Sequence, residues 1–348
     1  MIKRFTRFRQ LSQDALYSEF ERFVAQHHHG SYFQSSQLFQ LLDGLDEFQP
    51  ILFISLGERG EVVGSLLGYY QVFGTKIRGW MSRRFVVMGG PLVDDGPMEM
   101  QTAYALLSET KSHARKLAIY IEIRNLFDTM GLRPAFEKHG FYYTPHLNYL
   151  LKLDDEPAVM QRLSSSRRRQ LKKTVAAGAT ISEAVNEKEV MTFYGLLRDI
   201  YRTRIRKPLA SPEFFLKFWR TNAGKVFLVK YDGEIMGGII CPIFNNRIIY
   251  EWYVCGRDGE ISNVHSSVVA TWAPIEYGLQ NGLSHFDFLG AGKPDEPYGV
   301  REFKARFGGD EVCFGRYEYI LNKPLFAMSK IGLRIYRNFC CYGKRPKK

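Results

Sequence analysis

The chain has 348 residues, of which 45% are hydrophobic and 24% charged, an ordinary globular composition that is ample for two buried cores. On a prior of about 150 residues per domain, this length predicts two domains. The five cysteines show no paired spacing, which argues against a disulfide framework or a zinc site. No stretch approaches the roughly 18 apolar residues of a transmembrane helix, and no apolar run follows the basic N-terminus, so we expect a cytoplasmic protein.

The formal net charge is +12 at pH 7. A positive field favours anionic partners such as nucleic acid, nucleotide phosphates or an anionic membrane surface. A solvated basic surface explains the composition equally well. The basic residues are clustered, however, at 162–173, 198–207 and 330–348, and clustering favours a partner.

The predicted elements come in the same order twice along the chain. In each half a β-hairpin is followed by a strand, a long helix, a strand, a short helix and a last strand. The first set is predicted at 51–73, 83–90, 97–116, 117–124, 132–139 and 141–153. The second set is predicted at 225–244, 247–256, 263–281, 284–290, 299–307 and 311–321.

Two short stretches also repeat in sequence. GERGEVVGS in the first hairpin corresponds to YDGEIMGGI in the second, and GLRPAFEKHGF at 131–141 corresponds to GVREFKARFGG at 299–309. Their shared order predicts a duplication. By analogy, this order of elements is that of the N-acyltransferase unit of the GNAT type. The predicted fold class is therefore α/β, an α+β mixed sheet in two tandem GNAT-like units.

The predicted units are residues 1–155 and 156–323, followed by a tail at 324–348. A basic helix at about 161–177 opens the second unit. It fits two interpretations, a solvated helix between domains or a face that contacts phosphate or RNA, because Arg offers a fork of donors to phosphate oxygens. The residues of that predicted face are Arg167, Arg168, Arg169, Lys172 and Lys173.

The segment 286–309, FDFLGAGKPDEPYGVREFKARFGG, is the most informative stretch for chemistry. After its strand, Gly290 and Gly292 make an open loop in which backbone can approach a ligand. The spacing is not that of a P-loop. The acceptor amine needs a base, and Asp287 and Asp295 both neighbour this loop. Asp287 also fits an internal pairing role. Asp295 is the predicted catalytic residue.

The short helix of this segment holds a lysine beside an apolar face. At about 100° per residue, Val300, Phe303 and Phe307 share one apolar arc, and Lys304 falls at its edge. A cation in this place could stabilise the oxyanion that forms when an amine attacks an ester or thioester. Position alone favours the other interpretation, a lysine whose stem covers Phe303 while its charge reaches water.

The same segment resembles the C-terminal signature of the Fem-type family of peptidoglycan bridge-forming aminoacyltransferases, with an FDFxG strand end and an FKxxFG helix. Further similarities follow in the family's order. They are GSYFQSSQLF at 30–39, MGGPLVDD at 88–95 and SSRRRQLKKTVAAG at 165–178. The resemblance spans nearly the whole chain.

The resemblance implies transfer of an aminoacyl group from an aminoacyl-tRNA to an amine of a peptidoglycan precursor, without a cofactor. It implies Lys304 at the transfer site and Tyr253 as an aromatic residue beside the cleft. Arg204 and Arg206 resemble the residues that hold the precursor's diphosphate. The other residues expected to bind substrate are Gly290, Gly292, Tyr298 and Phe303.

Two departures keep alternatives open. Leu41 and Leu42 stand where family members that bind the uridine-linked precursor can have a lysine. The loop 255–263 lacks the usual acetyl-CoA pyrophosphate motif, so CoA is a weaker expectation than another donor. The alternatives are an acyl-CoA-dependent N-acyltransferase, and a non-catalytic protein that binds RNA or membrane on a degenerate GNAT scaffold.

Two further stretches allow a structural or a functional interpretation. His27–His29 cannot all converge on one ion, so we expect a solvated loop and no metal. The tail has apolar residues with basic residues between them, as in a helix that contacts the inner membrane surface peripherally. A helix that packs on its own domain fits the tail as well.

Overall fold

The computed structural model describes residues 1–72, 79 and 83–339, with side chains up to residue 332 in the last helix. The chain forms two compact units. The first consists of Met1–Pro145 together with Phe314–Lys348, and the second of His146–Cys313. The second unit is thus an insertion in the chain of the first.

The first unit contains the strands and helices of both ends of the chain. Its strands are β1 Ile2–Phe5, β2 Phe48–Leu56, β3 Val62–Gln71, β4 Arg84–Met88, β5 Leu92–Val93, β6 Tyr120–Arg124 and β7 Tyr142–Thr144, joined by β16 Arg316–Ile320. Its helices are α1 Phe8–Ser12, α2 Tyr17–Gln26, α3 Ser36–Leu42, α4 Glu99–Ala114, α5 Arg133–Lys138 and α12 Lys323–Phe339.

The second unit repeats the arrangement of the strands. Its strands are β8 Asn148–Lys152, β9 Thr180–Glu183, β10 Gly224–Tyr231, β11 Glu234–Phe244, β12 Ile248–Tyr250, β13 Tyr253–Gly256, β14 His285–Asp287 and β15 Asp310–Val312. Its helices are α6 Glu156–Arg162, α7 Ser165–Ala176, α8 Glu187–Ile200, α9 Pro212–Arg220, α10 Ser266–Gln280 and α11 Gly299–Ala305, with a π-helical turn at Tyr201–Ile205.

Each unit has one mixed sheet, and the two strand orders are equivalent when the second is read from β9 to β15. The first sheet runs β1-β2-β3-β4-β6-β16-β7, and the second runs β15-β8-β14-β12-β11-β10-β9. β5 pairs with β3, and β13 pairs with β11. In each sheet one central pair is parallel, β4 with β6 and β12 with β14, and the other pairs are antiparallel.

Successive side chains of a strand point to opposite faces of its sheet, and one set of them packs in the hydrophobic core. In β6, Ile121 and Ile123 are buried in the core of the first unit, while the residues between them lie on the opposite face. In the second unit the long helix α10 is almost entirely apolar and is buried among β10, β11 and β13. A helix that is apolar on most sides is expected to be buried in this way.

The last predicted strand of each repeat is divided between the two sheets. The predicted strand 141–153 is two strands, β7 in the first sheet and β8 in the second. The predicted strand 311–321 is likewise β15 in the second sheet and β16 in the first. The units therefore divide at 145/146 and 313/314, whereas the sequence placed the boundaries at 155/156 and 323/324.

Local residues account for both breaks. Pro145 follows β7 and lacks the N–H that a continuing strand would donate. Gly315 has a φ of 71°, and a Cβ there would lie 2.2 Å from the ring of Tyr143. Only glycine fits that position. Asn125 then pins the returning chain, since its Nδ2 donates to the Phe314 carbonyl at 2.8 Å.

Candidate active site

The parallel strands β12 and β14 diverge at Glu251 and Asp287. They pair from Ile248 and His285 onward, and the last bond runs from the Glu251 N–H to the Asp287 carbonyl at 2.9 Å. Beyond it, β13 stays with β11, while the chain after β14 turns into the loop 288–298. The gap between the diverging strands is where side chains at the strand ends meet.

Lys304 of α11 lies buried at this divergence, with only 5% of its surface exposed. Its Nζ is 3.0 Å from Oε1 of Glu251. It also donates to the carbonyls of Leu289 at 2.6 Å and Gly290 at 3.2 Å, and to that of Phe288. An ammonium has three protons, so four acceptors saturate it.

Glu251 is the acidic partner and is itself 4% exposed. Its second oxygen, Oε2, has no hydrogen-bond partner among the described residues. A buried carboxylate oxygen without a donor is costly and uncommon in native structures. This oxygen is therefore an unsatisfied acceptor inside the cluster, with almost none of its own surface exposed.

Asp287 completes the buried cluster. Its Oδ1 accepts from Nδ2 of Asn148 at 2.8 Å and from the N–H of Leu289 at 2.7 Å. Burial raises the pKa of this carboxyl to about 6, because the hydrogen bonds and the charge of Lys304 only partly offset desolvation. Asp287 thus has the internal pairing role that the sequence allowed.

The loop 288–298 is held by two basic side chains of α11. Leu289 has a φ of 47°, rare for a branched non-glycine residue, and its carbonyl points to Lys304. Gly290 and Gly292 also have positive φ, at 47° and 82°. Arg301 donates to the carbonyls of Ala291 at 3.1 Å, Pro294 at 3.0 Å and Glu296 at 2.9 Å, and to that of Lys293.

Helix α11 presents a different face from the one the helical wheel predicted. Val300 is 42% exposed, whereas Lys304 is buried. The apolar arc is wrong at Val300, and the alternative of a lysine reaching water is wrong as well. The reason is that the turned carbonyls of residues 288–290 supply acceptors inside, which a wheel count does not see. Phe303 is half-buried and packs with Phe307, as predicted.

Arg167 holds the other side of α11. Its guanidinium lies 4.2 Å from the ring of Phe303, its Nη2 donates to the Phe303 carbonyl at 3.3 Å, and only 4% of the residue is exposed. Burial lowers the pKa of Arg167 to about 10, with Arg306 adding to the effect. The predicted phosphate role does not fit a side chain so enclosed.

The remaining basic residues of helix α7 divide into one that is bound within the protein and three that are exposed. Arg168 donates to the carbonyls of Met160, Gln161 and Leu163, so it caps the preceding helix instead of facing a ligand. Arg169, Lys172 and Lys173 are exposed, and Lys173 donates to Asn263 at 3.2 Å. The exposed basic face of α7 therefore consists of these three residues.

Tyr253 belongs to an aromatic group beside the divergence. Its ring centroid is 5.2 Å from Phe215 and 6.1 Å from Tyr201. Burial raises the pKa of Tyr201, and Tyr298 adds to the shift. The ring of Tyr298 lies against Gly292, where a Cβ would come within 2.8 Å of it. The structure thus brings Tyr253 and Tyr298 into one aromatic neighbourhood.

Two of the predicted residues lie at the surface, and a third is half-buried. Asp295 is exposed in a turn of the loop. Arg204 is exposed in the π-helical turn, next to Tyr201. Arg206 ends that turn with a φ of 54° and is half-buried. π-helical turns are rare and occur frequently at functional sites.

The N-terminus of α10 is already capped by an acidic residue. Asp258 Oδ1 accepts from the N–H of Ser267 at 2.9 Å and from the hydroxyl of Ser266 at 3.3 Å, and Oδ2 accepts from the Ser267 hydroxyl. Helix N-termini bind anions through such donors. Here the carboxylate of Asp258 uses them and opposes a second negative charge.

Sequence reasoning missed Glu251 and Asn148. Glu251 lies within IIYEWYV, which reads as one uninterrupted strand. A charged residue between aromatic residues in a buried strand was the available signal, because such a residue is almost never buried without a partner. Asn148 had no comparable signal, since its role depends on β8 pairing with β14.

No cluster that could hold a metal is found among residues 1–72, 79 and 83–339. The run His27–His29 is not the solvated loop that the sequence predicted. His27 is buried, with Nε2 at 2.9 Å from the Val93 carbonyl, and His29 stacks on Phe127. In the same part of the chain, no helix is long and apolar enough to span a membrane.

Residues 161–304 match the family model described as an acetyltransferase (GNAT) domain, and Lys304 is the last residue of the match. No curated protein sequence matches this chain closely enough to count as a relative. The match places an acyltransferase domain of the GNAT type in the second unit.

Several solved structures share the fold of the whole chain. FemX is similar with a TM-score of 0.68 and 15% identity, over 89% of this chain and 97% of FemX. A tandem GNAT protein from the clavulanic acid biosynthesis pathway has a TM-score of 0.61 and 11% identity, over 92% of this chain and 99% of its own. The C-terminal domain of a putative lysylphosphatidylglycerol synthetase from Agrobacterium fabrum has a TM-score of 0.54 and 14% identity, over 95% and 99%.

At these identities the likeness establishes the fold. It confirms the predicted α/β class with two tandem GNAT-like units, and it confirms the resemblance to the Fem type at the level of architecture. The acetyltransferase domain confirms the predicted enzyme class, an N-acyltransferase.

Proposed function

We propose that this GNAT-type acyltransferase moves an aminoacyl group from an aminoacyl-tRNA to a free amine of a peptidoglycan precursor. The observation that carries the proposal is the buried Lys304–Glu251 pair where β12 and β14 diverge. A buried ion pair is weak support for stability, because packed apolar residues of similar volume often serve as well or better. Buried, paired ionisable groups whose presence packing alone does not explain are candidates for chemistry.

Lys304 supports charge on the transferred carbonyl. Its contact with the Gly290 carbonyl, at 3.2 Å, is the longest of its measured contacts. Exchanging that contact for the oxyanion of the tetrahedral intermediate costs little and places a cation at the developing charge. The three remaining acceptors keep the ammonium in position while it does so.

Glu251 supports the proton transfer. The acceptor amine attacks the ester carbonyl carbon, which forms the C–N bond and places the electron pair on the carbonyl oxygen. Collapse of the intermediate breaks the C–O bond to the tRNA ribose. The amine proton passes to Oε2 of Glu251, the oxygen without a partner among the described residues, and then to the leaving ribose oxygen. We assign Asp295, which is exposed on the loop 288–298, as a second candidate base.

The donor is proposed to be RNA-linked for two reasons. The basic face of Arg169, Lys172 and Lys173 offers cations to phosphates. Asp258 at the start of α10 disfavours the pyrophosphate of an acyl-CoA. Acyl-CoA remains the alternative donor.

The acceptor is proposed to bind beside the aromatic group. Arg204 and Arg206 lie on the turn that carries Tyr201, whose ring neighbours Tyr253. We assign the two arginines to the diphosphate of the precursor and Tyr253 to the wall of the acceptor site. Phe303, Tyr298, Gly290 and Gly292 complete the proposed substrate-binding residues. A precursor carried on lipid would bring the chain to the inner membrane surface.

The test compares one double variant with a matched control. Lys304→Met alone leaves the Glu251 carboxylate buried without its partner, so we combine it with Glu251→Gln to keep the cluster neutral. The double variant is expected to keep its thermal transition and to lose transfer by about a hundredfold or more. Lys225→Met, which removes a partly exposed lysine of the same unit, is expected to keep full activity.

Transfer is measured with labelled aminoacyl-tRNA or labelled acyl-CoA and an amine-bearing peptidoglycan precursor. Parent-like transfer by a folded double variant overturns the site. Transfer from acyl-CoA but not from aminoacyl-tRNA overturns the proposed donor and leaves the proposed Lys304–Glu251 site standing. If no donor is turned over and RNA still binds with steep salt dependence, the protein is the non-catalytic binding protein instead.

A further inference from the structure

In its described part, residues 323–332, the last helix of the first unit, α12, packs against the unit through one side. Asn322 caps it by accepting from the N–H of Leu325 at 3.0 Å, and the N–H groups of Leu321 and Asn322 donate to the Ile119 carbonyl. The ring of Phe326 lies 5.1 Å from that of Tyr120. Leu325 and Phe326 are accordingly half-buried.

The opposite side of α12 exposes large apolar side chains. Met328 is 50% exposed and Ile331 57%, and a spacing of three residues places them side by side on the helix. Lys323 and Lys330 are exposed beside them, and Nζ of Lys330 lies 4.4 Å from the Phe326 ring centroid. A helix with an apolar strip bordered by lysines has the form of an interfacial helix.

The charge of this part of the chain is entirely of one sign. From Lys323 to Lys348 the sequence has eight Lys and Arg residues and no Asp or Glu, against a net charge of +12 for the whole chain. About two-thirds of the net positive charge therefore follows β16. An anionic surface attracts such a segment strongly, at about fivefold in affinity for each basic residue near it.

We propose that α12 binds the surface of an anionic phospholipid bilayer. Met328 and Ile331 enter the boundary between headgroups and acyl chains, and Lys323 and Lys330 meet the lipid phosphates. RNA explains the basic residues but gives no use for two exposed apolar side chains. The proposal does not depend on the acyl transfer assigned to the second unit.

The test is sedimentation of the full chain with vesicles of phosphatidylcholine, with and without phosphatidylglycerol. We expect binding to the mixed vesicles and a decline with added salt. Ile331→Glu is expected to weaken binding by about tenfold or more, and Lys330→Gln by about fivefold. Met98→Glu is the matched control, because Met98 is 54% exposed in the same unit, and it is expected to bind like the parent.

Each outcome decides the proposal. Equal binding by Ile331→Glu and Met98→Glu overturns it, as does equal binding to vesicles with and without phosphatidylglycerol. If Ile331→Glu instead abolishes a concentration-dependent dimer and no vesicle binds, the strip is an interface between two copies. If tRNA binding falls with Lys330→Gln and no vesicle binds, the partner is RNA. Unchanged thermal transitions establish that each variant is folded.

Discussion

The two copies of the repeated unit place different side chains at the same point of the fold. Gly140 after α5 has a φ of 76° and donates to the Glu137 carbonyl at 2.8 Å, while Gly308 after α11 has a φ of 78° and donates to the Ala305 carbonyl at 3.0 Å. This equivalence aligns Phe136 with Lys304. In the first copy the position is apolar, and in the second it is a buried cation.

The strands give the same alignment independently. The last bond between β4 and β6 runs from Gly89 to the Arg124 carbonyl at 2.8 Å, in the place of the bond from Glu251 to Asp287. The first copy therefore has Gly89 where the second has Glu251. Neither the acid nor the lysine is required for this fold to close.

The first copy shows what packing alone selects. The ring of Phe136 stacks on Tyr317 with centroids 3.8 Å apart, and both side chains are buried. A Lys–Glu pair in the equivalent place gains less from burial and must be desolvated. The difference teaches that stability does not explain the pair, which is why we assign it to chemistry.

The largest test of this comparison transfers the lysine to the first copy. Phe136→Lys places an ammonium in an apolar core with Gly89 in the place of an acid. We expect a loss of about 5 kcal/mol in the free energy of unfolding, measured by urea denaturation. Phe136→Leu is the control and is expected to lose less than about 1.5 kcal/mol. A parent-like Phe136→Lys would show that the position tolerates lysine in either copy.

A pH-dependent effect is expected from Asp287. Burial raises its folded-state pKa to about 6 from an ordinary value of 3.8, so the folded protein binds more protons between these values. The carboxyl's contribution is present below pH 3.8 and is lost as the pH rises through about 6, by up to roughly 3 kcal/mol.

Asp287→Asn removes that dependence while keeping an acceptor for Asn148. The stability of this variant relative to the parent is therefore expected to increase between pH 4.5 and pH 7, a window taken from that shift. Urea denaturation at the two pH values measures it, with Asp310→Asn, at an exposed residue of β15, as the control. If the free energy of unfolding changes equally with pH in the parent, Asp287→Asn and Asp310→Asn, the raised pKa of Asp287 is contradicted.

The smallest effect is expected at Val300. The helical wheel predicted a buried valine, but 42% of Val300 is exposed. Val300→Ala should therefore change the free energy of unfolding by no more than about 0.5 kcal/mol. A loss above about 1.5 kcal/mol, typical of a buried site, would support the wheel against the structure.

Local signals predicted the order of elements and the duplication. They also singled out Lys304 as a cation of interest in the short helix after the loop. They could not predict the partners of β8 and β16, because pairing between residues far apart leaves no trace in the periodicity of either segment. The same limit hid Glu251 and the true face of α11. Both depend on how the loop 288–290 turns its carbonyls inward.

The exchange of β8 and β16 has a consequence for synthesis. β16 lies between β6 and β7, so the first sheet lacks an internal strand until residues 316–320 leave the ribosome. The second unit, by contrast, has its whole sequence once Cys313 is made. The unit that begins the chain is thus the last to be completed, and its β6 and β7 remain without β16, the strand that pairs with both, through the translation of all the residues between.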